Sequence, residues 1–147
     1  MNLNSDIKIT GKLTIKKFNS NNELIQEVEV PNLIVTAGKQ YIANRLTSSS
    51  PVIMSHMAIG DTSDAPNLTQ TTLVGELGRS TLTSTTLSGA NVVYVGVFGP
   101  GVGTGSIVEA GIFNDDTTGT MLCRTTFPVI VKSLTDSIAI SWTVSVG

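Results

Sequence analysis

From Ile138 to Val146 every second residue is large and apolar: Ile138, Ile140, Trp142, Val144 and Val146, with Ala139, Ser141, Thr143 and Ser145 between them. Neighbouring side chains of a strand point to opposite faces, so this period of two predicts a strand with one core face and one small polar face. The chain stops one residue later, and a folded unit complete at that strand is expected. The same alternation opens the chain: Ile7, Ile9, Leu13 and Ile15 stand among Lys8, Thr10, Lys12, Thr14 and Lys16. After Asn19-Ser20-Asn21-Asn22 a second run continues through Val28 and Val30. Two such runs around an Asn/Ser turn predict a β-hairpin over residues 6–30. With a four-residue loop, Lys12 faces Glu29, an ion pair contributing roughly 0.2–1 kcal/mol and serving mainly as a register marker. Pro31 can donate no ladder bond, so it ends the second strand or sits at a sheet edge.

Thr36 is placed to cap a single helix over residues 37–46, with Tyr41, Ile42 and Leu46 turned to a sheet and Lys39, Gln40 and Asn44 outward. Val52 to Gly60 reads as a strand, followed by the turn-rich stretch Asp61 to Asn67. Beyond Gly78 the strands predicted are Arg79 to Leu87, Val92 to Phe98, Ser106 to Asn114, Thr120 to Phe127 and Ser137 to Val146. Short strands at this spacing predict a mainly β protein, an antiparallel β-sandwich or jelly-roll-like fold. The expected organisation is one domain, residues 1–147, with the hairpin 6–30 as a docking arm and residues 32–147 as the sandwich body.

Glu109 and Arg124 are charges inside apolar strands. A loop of Asp115 to Thr118 would set them opposite one another, so a structural ion pair is expected, with Arg79 as the competing partner of Glu109. Removing one member of such a buried pair costs several kcal/mol.

Composition narrows the function classes. Charged residues are only 14% of the 147, against about 25% in ordinary domains. The polar share is carried by Ser, Thr and Asn, a neutral surface suited to packing against neighbours, so an oligomer or lattice member is expected. A net charge of −2 offers no field for phosphates, and no nucleic-acid partner is expected. One cysteine, Cys123, and one histidine, His56, make neither an internal disulfide nor a zinc framework of the usual spacing. No cofactor and no metal are expected. The apolar runs are far shorter than the ~20 residues of a membrane-spanning helix, and the first residues lack the regions of a signal peptide, so no membrane partner is expected.

No catalytic constellation stands out. The glycine run from Gly99 to Gly105 is followed by a strand and not by the helix a phosphate loop needs. A Ser-His-Asp system would have to use His56 with Asp61 or Asp64, and lacks a nucleophile elbow. The acid pairs Asp61/Asp64 and Asp115/Asp116 fall in turn sequences, where Asp closes local backbone bonds. Cys123 and Trp142 read as core.

The segments 32–38 (Asn-Leu-Ile-Val-Thr-Ala-Gly), 55–60 (Ser-His-Met-Ala-Ile-Gly), 76–79 (Glu-Leu-Gly-Arg), 109–114 (Glu-Ala-Gly-Ile-Phe-Asn), 119–127 and the closing 140–144 (Ile-Ser-Trp-Thr-Val), taken in order, resemble a group of small virion proteins of tailed bacteriophages. Relatives carry tail-fibre-like or structural labels. The resemblance implies a non-enzymatic part of a virus particle, located in the virion after assembly in the host cytoplasm. A capsid decoration, or cement, protein bound to the shell is the expected role. A tail fibre, collar or baseplate component is the alternative, and a small hydrolase the remote one. The partners expected are the major capsid protein or tail proteins, with a homotrimer as the favoured assembly. The candidate contacts are Lys12 and Glu29 on the hairpin and Gly101, Val102 and Gly103 in the glycine loop.

Overall fold

A computed structural model describes residues 8–48 and 50–147. The start of the expected hairpin, Asp6 and Ile7, and Ser49 of the loop after the helix lie outside the described residues. The elements in chain order are β1 (Ile9–Phe18), β2 (Leu24–Ile34), α1 (Thr36–Thr47), β3 (His56–Gly60), β4 (Glu76–Ser88), β5 (Asn91–Phe98), β6 (Gly105–Phe113), β7 (Met121–Lys132) and β8 (Ser137–Val146). The strands form one closed antiparallel barrel in the order β1-β2-β7-β6-β3-β4-β5-β8, with β8 returning to β1.

The fold is therefore neither the sandwich nor the jelly roll that the strand pattern suggested. Both architectures require strands with one apolar face, and a single curled sheet satisfies that requirement by turning every such face inward. What closes the sheet is the N-terminal hairpin. β1 pairs with β8 from Ile9↔Val146 to Phe18↔Ser137, and β2 meets β7. Leu13, Ile15, Met57, Ile59, Ile107, Ile112, Ile130, Ile138, Ile140 and Trp142 fill the interior with no exposed surface.

Both predicted cross-strand registers are displaced by two residues. Lys12 pairs with Pro31 and Thr14 with Glu29, because the turn spans residues 19–23 and a bulge separates Lys17 from Phe18. Likewise Glu109 pairs with Thr126 and Gly111 with Arg124, after a bulge between Ile112 and Phe113. A slip of one residue would have turned each strand inside out, whereas a slip of two keeps every side chain on its face and leaves each charged pair diagonal, within reach of long side chains. β7 also runs on through Pro128 to Lys132, where a loop was expected. Pro128 is tolerated there because the β6 register jumps between Ile107 and Glu109, so the strand owes no ladder bond at that point.

Helix α1 begins at Thr36 itself, which is not its cap. Val35 precedes it in extended conformation without a side-chain cap bond, and the Thr36 N–H donates instead to the Leu68 carbonyl at 2.9 Å. Tyr41 and Ile42 pack on the interior cluster, and Gly38 lies so close to the Leu122 backbone that a Cβ there would collide with it. A second, smaller cluster of Val35, Ala58, Leu73, Phe113 and Met121 lies apart from that interior. Leu73 brings to it the connection between β3 and β4, residues 61–75.

Candidate functional site: a pinned loop and the outer barrel surface

Residues 61–75 join no ladder, yet both ends of the segment meet: the Asp61 N–H donates to the Gly75 carbonyl at 2.9 Å. A compact excursion with adjoining ends is an Ω-loop in form. Glu109 of β6 and Arg124 of β7 pin it to the barrel. Arg124 Nη2 lies 2.8 Å and Nε 3.0 Å from Glu109 Oε2, and both side chains are fully buried. The remaining Arg124 bonds go to the loop: Nη1 donates to the Asp64 carbonyl (2.8 Å) and to Gln70 Oε1 (3.2 Å), and Nη2 to the Thr62 carbonyl (3.3 Å). All five N–H donors of the guanidinium are thereby used. Glu109 answers with Oε1 accepting from Gly75 N (2.6 Å) and Oε2 from Val74 N (3.1 Å). A buried charge pair is tolerated only when its spare donors and acceptors are satisfied, and here they are satisfied by the loop.

Arg79 takes no part in this network. It pairs with Glu76 through two bonds (2.7 and 3.1 Å), stacks 3.8 Å from the centre of the Phe113 ring, and donates to the Asp115 (2.9 Å) and Thr118 (2.8 Å) carbonyls. It ties β4 to the β6–β7 turn. In that turn Asp115 is held below the ordinary carboxylate range by Asp116, whose N–H donates to it at 2.6 Å, and by Thr117 and Thr118. Asp115 thus closes its own turn.

His56 is bracketed by hydroxyls. Its Nδ1 lies 2.8 Å from Ser55 Oγ and its Nε2 3.4 Å from Thr81 Oγ1, so neither of these ring contacts is with the carboxylate that orients the imidazole in a Ser-His-Asp system. Asp61 accepts from the Thr62 hydroxyl at 3.2 Å. Among the described residues no group of three or more His, Cys, Asp or Glu side chains could hold a metal ion. Cys123 is buried and its thiol is pushed up by burial. Tyr94 is pushed up to about 12, chiefly by burial and then by Tyr41 and Cys123 beside it.

Of the expected contact residues, Lys12 and Glu29 form an exposed ion pair at 2.9 Å. Of the three expected contact residues in the glycine loop, Gly101 alone is exposed. Val102 packs on the interior cluster, and Gly103 is buried against Ile59 and Gly78. Gly101 and Gly103 have φ of +81° and +66°, and the turn folds the loop back so that Gly101 N donates to the Leu134 carbonyl. Sequence reasoning missed the polar cluster beneath this turn. Lys132 is buried, its ammonium donates to the Gly99 carbonyl at 2.8 Å, and burial lowers its proton affinity against the opposing pull of Asp136. Asp136 in turn accepts from Ser133 N (2.9 Å) and lies 3.7 Å from Lys17. The signal was a Lys and an Asp flanking an apolar strand end.

The outside of β1 and β8 forms a shallow open groove of about 450 Å³ lined by Thr10, Thr14, Ser141, Thr143 and Ser145 beside the Lys12–Glu29 pair. No helix among the described residues is long and apolar enough to cross a membrane. On these strands most apolar side chains point inward and Thr, Ser, Lys12 and Lys16 outward, the reverse of a lipid-facing barrel.

The sequence profile of the family described as phage tail-collar fibre protein, N-terminal, matches residues 27–145, from within β2 to within β8. The chain belongs to this family. No curated protein and no solved structure matches it. Membership in the tail-collar fibre family makes the chain a structural protein of a tailed phage. It also favours the tail alternative over the capsid-decoration role expected from the sequence. β1 lies outside the matched residues although it completes the barrel, pairing with β2 on one side and β8 on the other.

Proposed function

We propose that this chain is a component of the phage tail, a compact barrel through which a collar or fibre structure is held to its neighbours. The observation that carries the reading is the match of residues 27–145 to the tail-collar fibre N-terminal family. The geometry supports adhesion. The interior is closed by apolar side chains, the loop 61–75 is pinned by Glu109 and Arg124, and the outer strands offer broad hydroxyl surfaces with few charges. Surfaces of this kind hold through area and repetition, and repeating a modest contact around a symmetric ring raises avidity by roughly 10²–10⁴.

The test is to separate tails from heads of purified particles and to quantify the chain in each. Tails should carry it in few copies per particle. Hundreds of copies on heads that lack tails would overturn the tail reading in favour of capsid decoration.

A further inference from the structure

The join between β2 and β7 is the weakest in the barrel. Ladder pairing there is confined to Leu33↔Arg124 and Ile34↔Cys123, whereas every other join runs five or more pairs. Both strands continue past this point, β2 back to Leu24 and β7 on to Lys132, without pairing to each other. Pro31 and Pro128 lie on the two sides and have no N–H to give. Two side chains cross instead: Thr125 Oγ1 donates to the Pro31 carbonyl at 2.7 Å and Gln26 Nε2 to the Val129 carbonyl at 3.4 Å. In an antiparallel ladder alternate residues turn their backbone groups to opposite sides, so half of those in residues 24–30 face a side with no paired strand.

Burial marks the same opening independently. Leu13 and Ile15 on β1 are fully buried, while their partners on β2, Val30 and Val28, are only half-buried. Leu24, Ile25, Val129 and Val131 are exposed around the seam. Glu27 and Glu29 stand two residues apart on the outer face of β2, and both are exposed. Glu29 is bridged to Lys12, and Glu27 faces Lys16 across the ladder without forming an ion pair with it.

We propose that the β2 edge of this seam accepts an added strand: an extended segment of another tail protein, with apolar side chains facing in and Lys or Arg facing out at alternate positions. Main-chain bonds to residues 24–30, stopping short of Pro31 whose carbonyl is taken by Thr125, would supply affinity over roughly 23 Å, as in other cases of strand addition. The inward residues cover Val28 and Val30, and cations two residues apart meet Glu27 and Glu29. A second copy's β2 laid on the same edge would bring Glu against Glu, which is unfavourable between paired strands, so the occupant is a different chain. This inference names the docking surface of the tail reading above and rests on it.

The test uses the full chain and two blocked octapeptides, one alternating Val with Lys and one alternating Val with Glu. Binding is followed by amide exchange. The Val–Lys peptide should slow exchange across residues 24–30 and bind about tenfold more tightly than the Val–Glu peptide. The double variant E27K/E29K should reverse that preference. E27Q/E29Q, which adds no like charge beside Lys12, should abolish the preference while leaving the thermal transition in place. The proposal is overturned by equal binding of the two peptides or by no protection of residues 24–30 at millimolar peptide. Protection of that edge that rises with the chain's own concentration would make a second copy the occupant and also overturn it. Fractionation of virions separates the two ideas: a chain that travels with tails but ignores the peptides loses only the strand-accepting edge, and one that travels with heads loses the tail reading.

Discussion

In Glu109→Gln one carboxylate oxygen becomes an amide nitrogen and the negative charge disappears. Arg124 then sits fully buried with no counter-charge, and a guanidinium cannot discard its own. The Glu109 carboxylate accepts four hydrogen bonds, from Arg124 Nε and Nη2, Val74 N and Gly75 N, and the new NH2 group turns donors toward donors. Breaking such a pair from one side costs about 3–5 kcal/mol, which for a chain of this length lowers Tm on the order of 10 °C. Arg124→Met should cost less, because Val74 N and Gly75 N still serve the carboxylate and an unpaired carboxyl can take up a proton. The double variant should cost less than the sum of the two by about 2 kcal/mol, the signature of direct coupling. Urea denaturation gives the three free energies, and amide exchange should show residues 61–75 losing protection first. Costs that simply add, or a Glu109→Gln variant within about 0.5 kcal/mol of the parent with the loop still protected, would refute the pinning of the loop by this pair.

Gly38→Ala should destabilise the chain by about 1–3 kcal/mol, since the new methyl meets the Leu122 backbone, and circular dichroism with thermal melting should register a lower transition. Cys123 should resist thiol reagents in the folded chain and react only at the rate of barrel opening, being buried with its thiol pushed up by burial. Asp136 is held below the usual carboxylate range, first by the Ser133 backbone N–H and then by the Ser133 hydroxyl and Lys17. Its contribution is therefore complete above the unfolded value of about 3.9 and is lost as pH falls through the lower folded one. Asp136→Asn should flatten that acid limb in a stability profile measured by denaturant titration.

The alternating stripe of β8 was legible from Ile138 to Val144, because period two with bulky apolar side chains has no other reading; Val146, at the strand's end, is exposed. The helix was legible to within a residue at each end, although its first N–H finds its partner on Leu68, far along the chain, where no local cap pattern could point. Glu109 and Arg124 stood out as charges among apolar neighbours, but their register did not, since a bulge leaves no mark in composition. Barrel closure was illegible for a deeper reason. A one-sided strand looks the same in a sandwich and in a barrel, and the deciding fact is that β1 pairs with β8 at the other end of the chain. Treating the hairpin as an arm removed the two strands that close the sheet. Asp61 to Asn67, the first half of the loop 61–75, read as irregular turns because what shapes it, the Arg124 guanidinium, lies some sixty residues away.

The most direct measurement is a cryo-electron-microscopy reconstruction of the intact virion, with the eight-stranded barrel fitted into tail and shell density. Barrels seated at the collar or fibre attachment of the tail are the expected result. Barrels repeated across the capsid lattice and missing from the tail would contradict it.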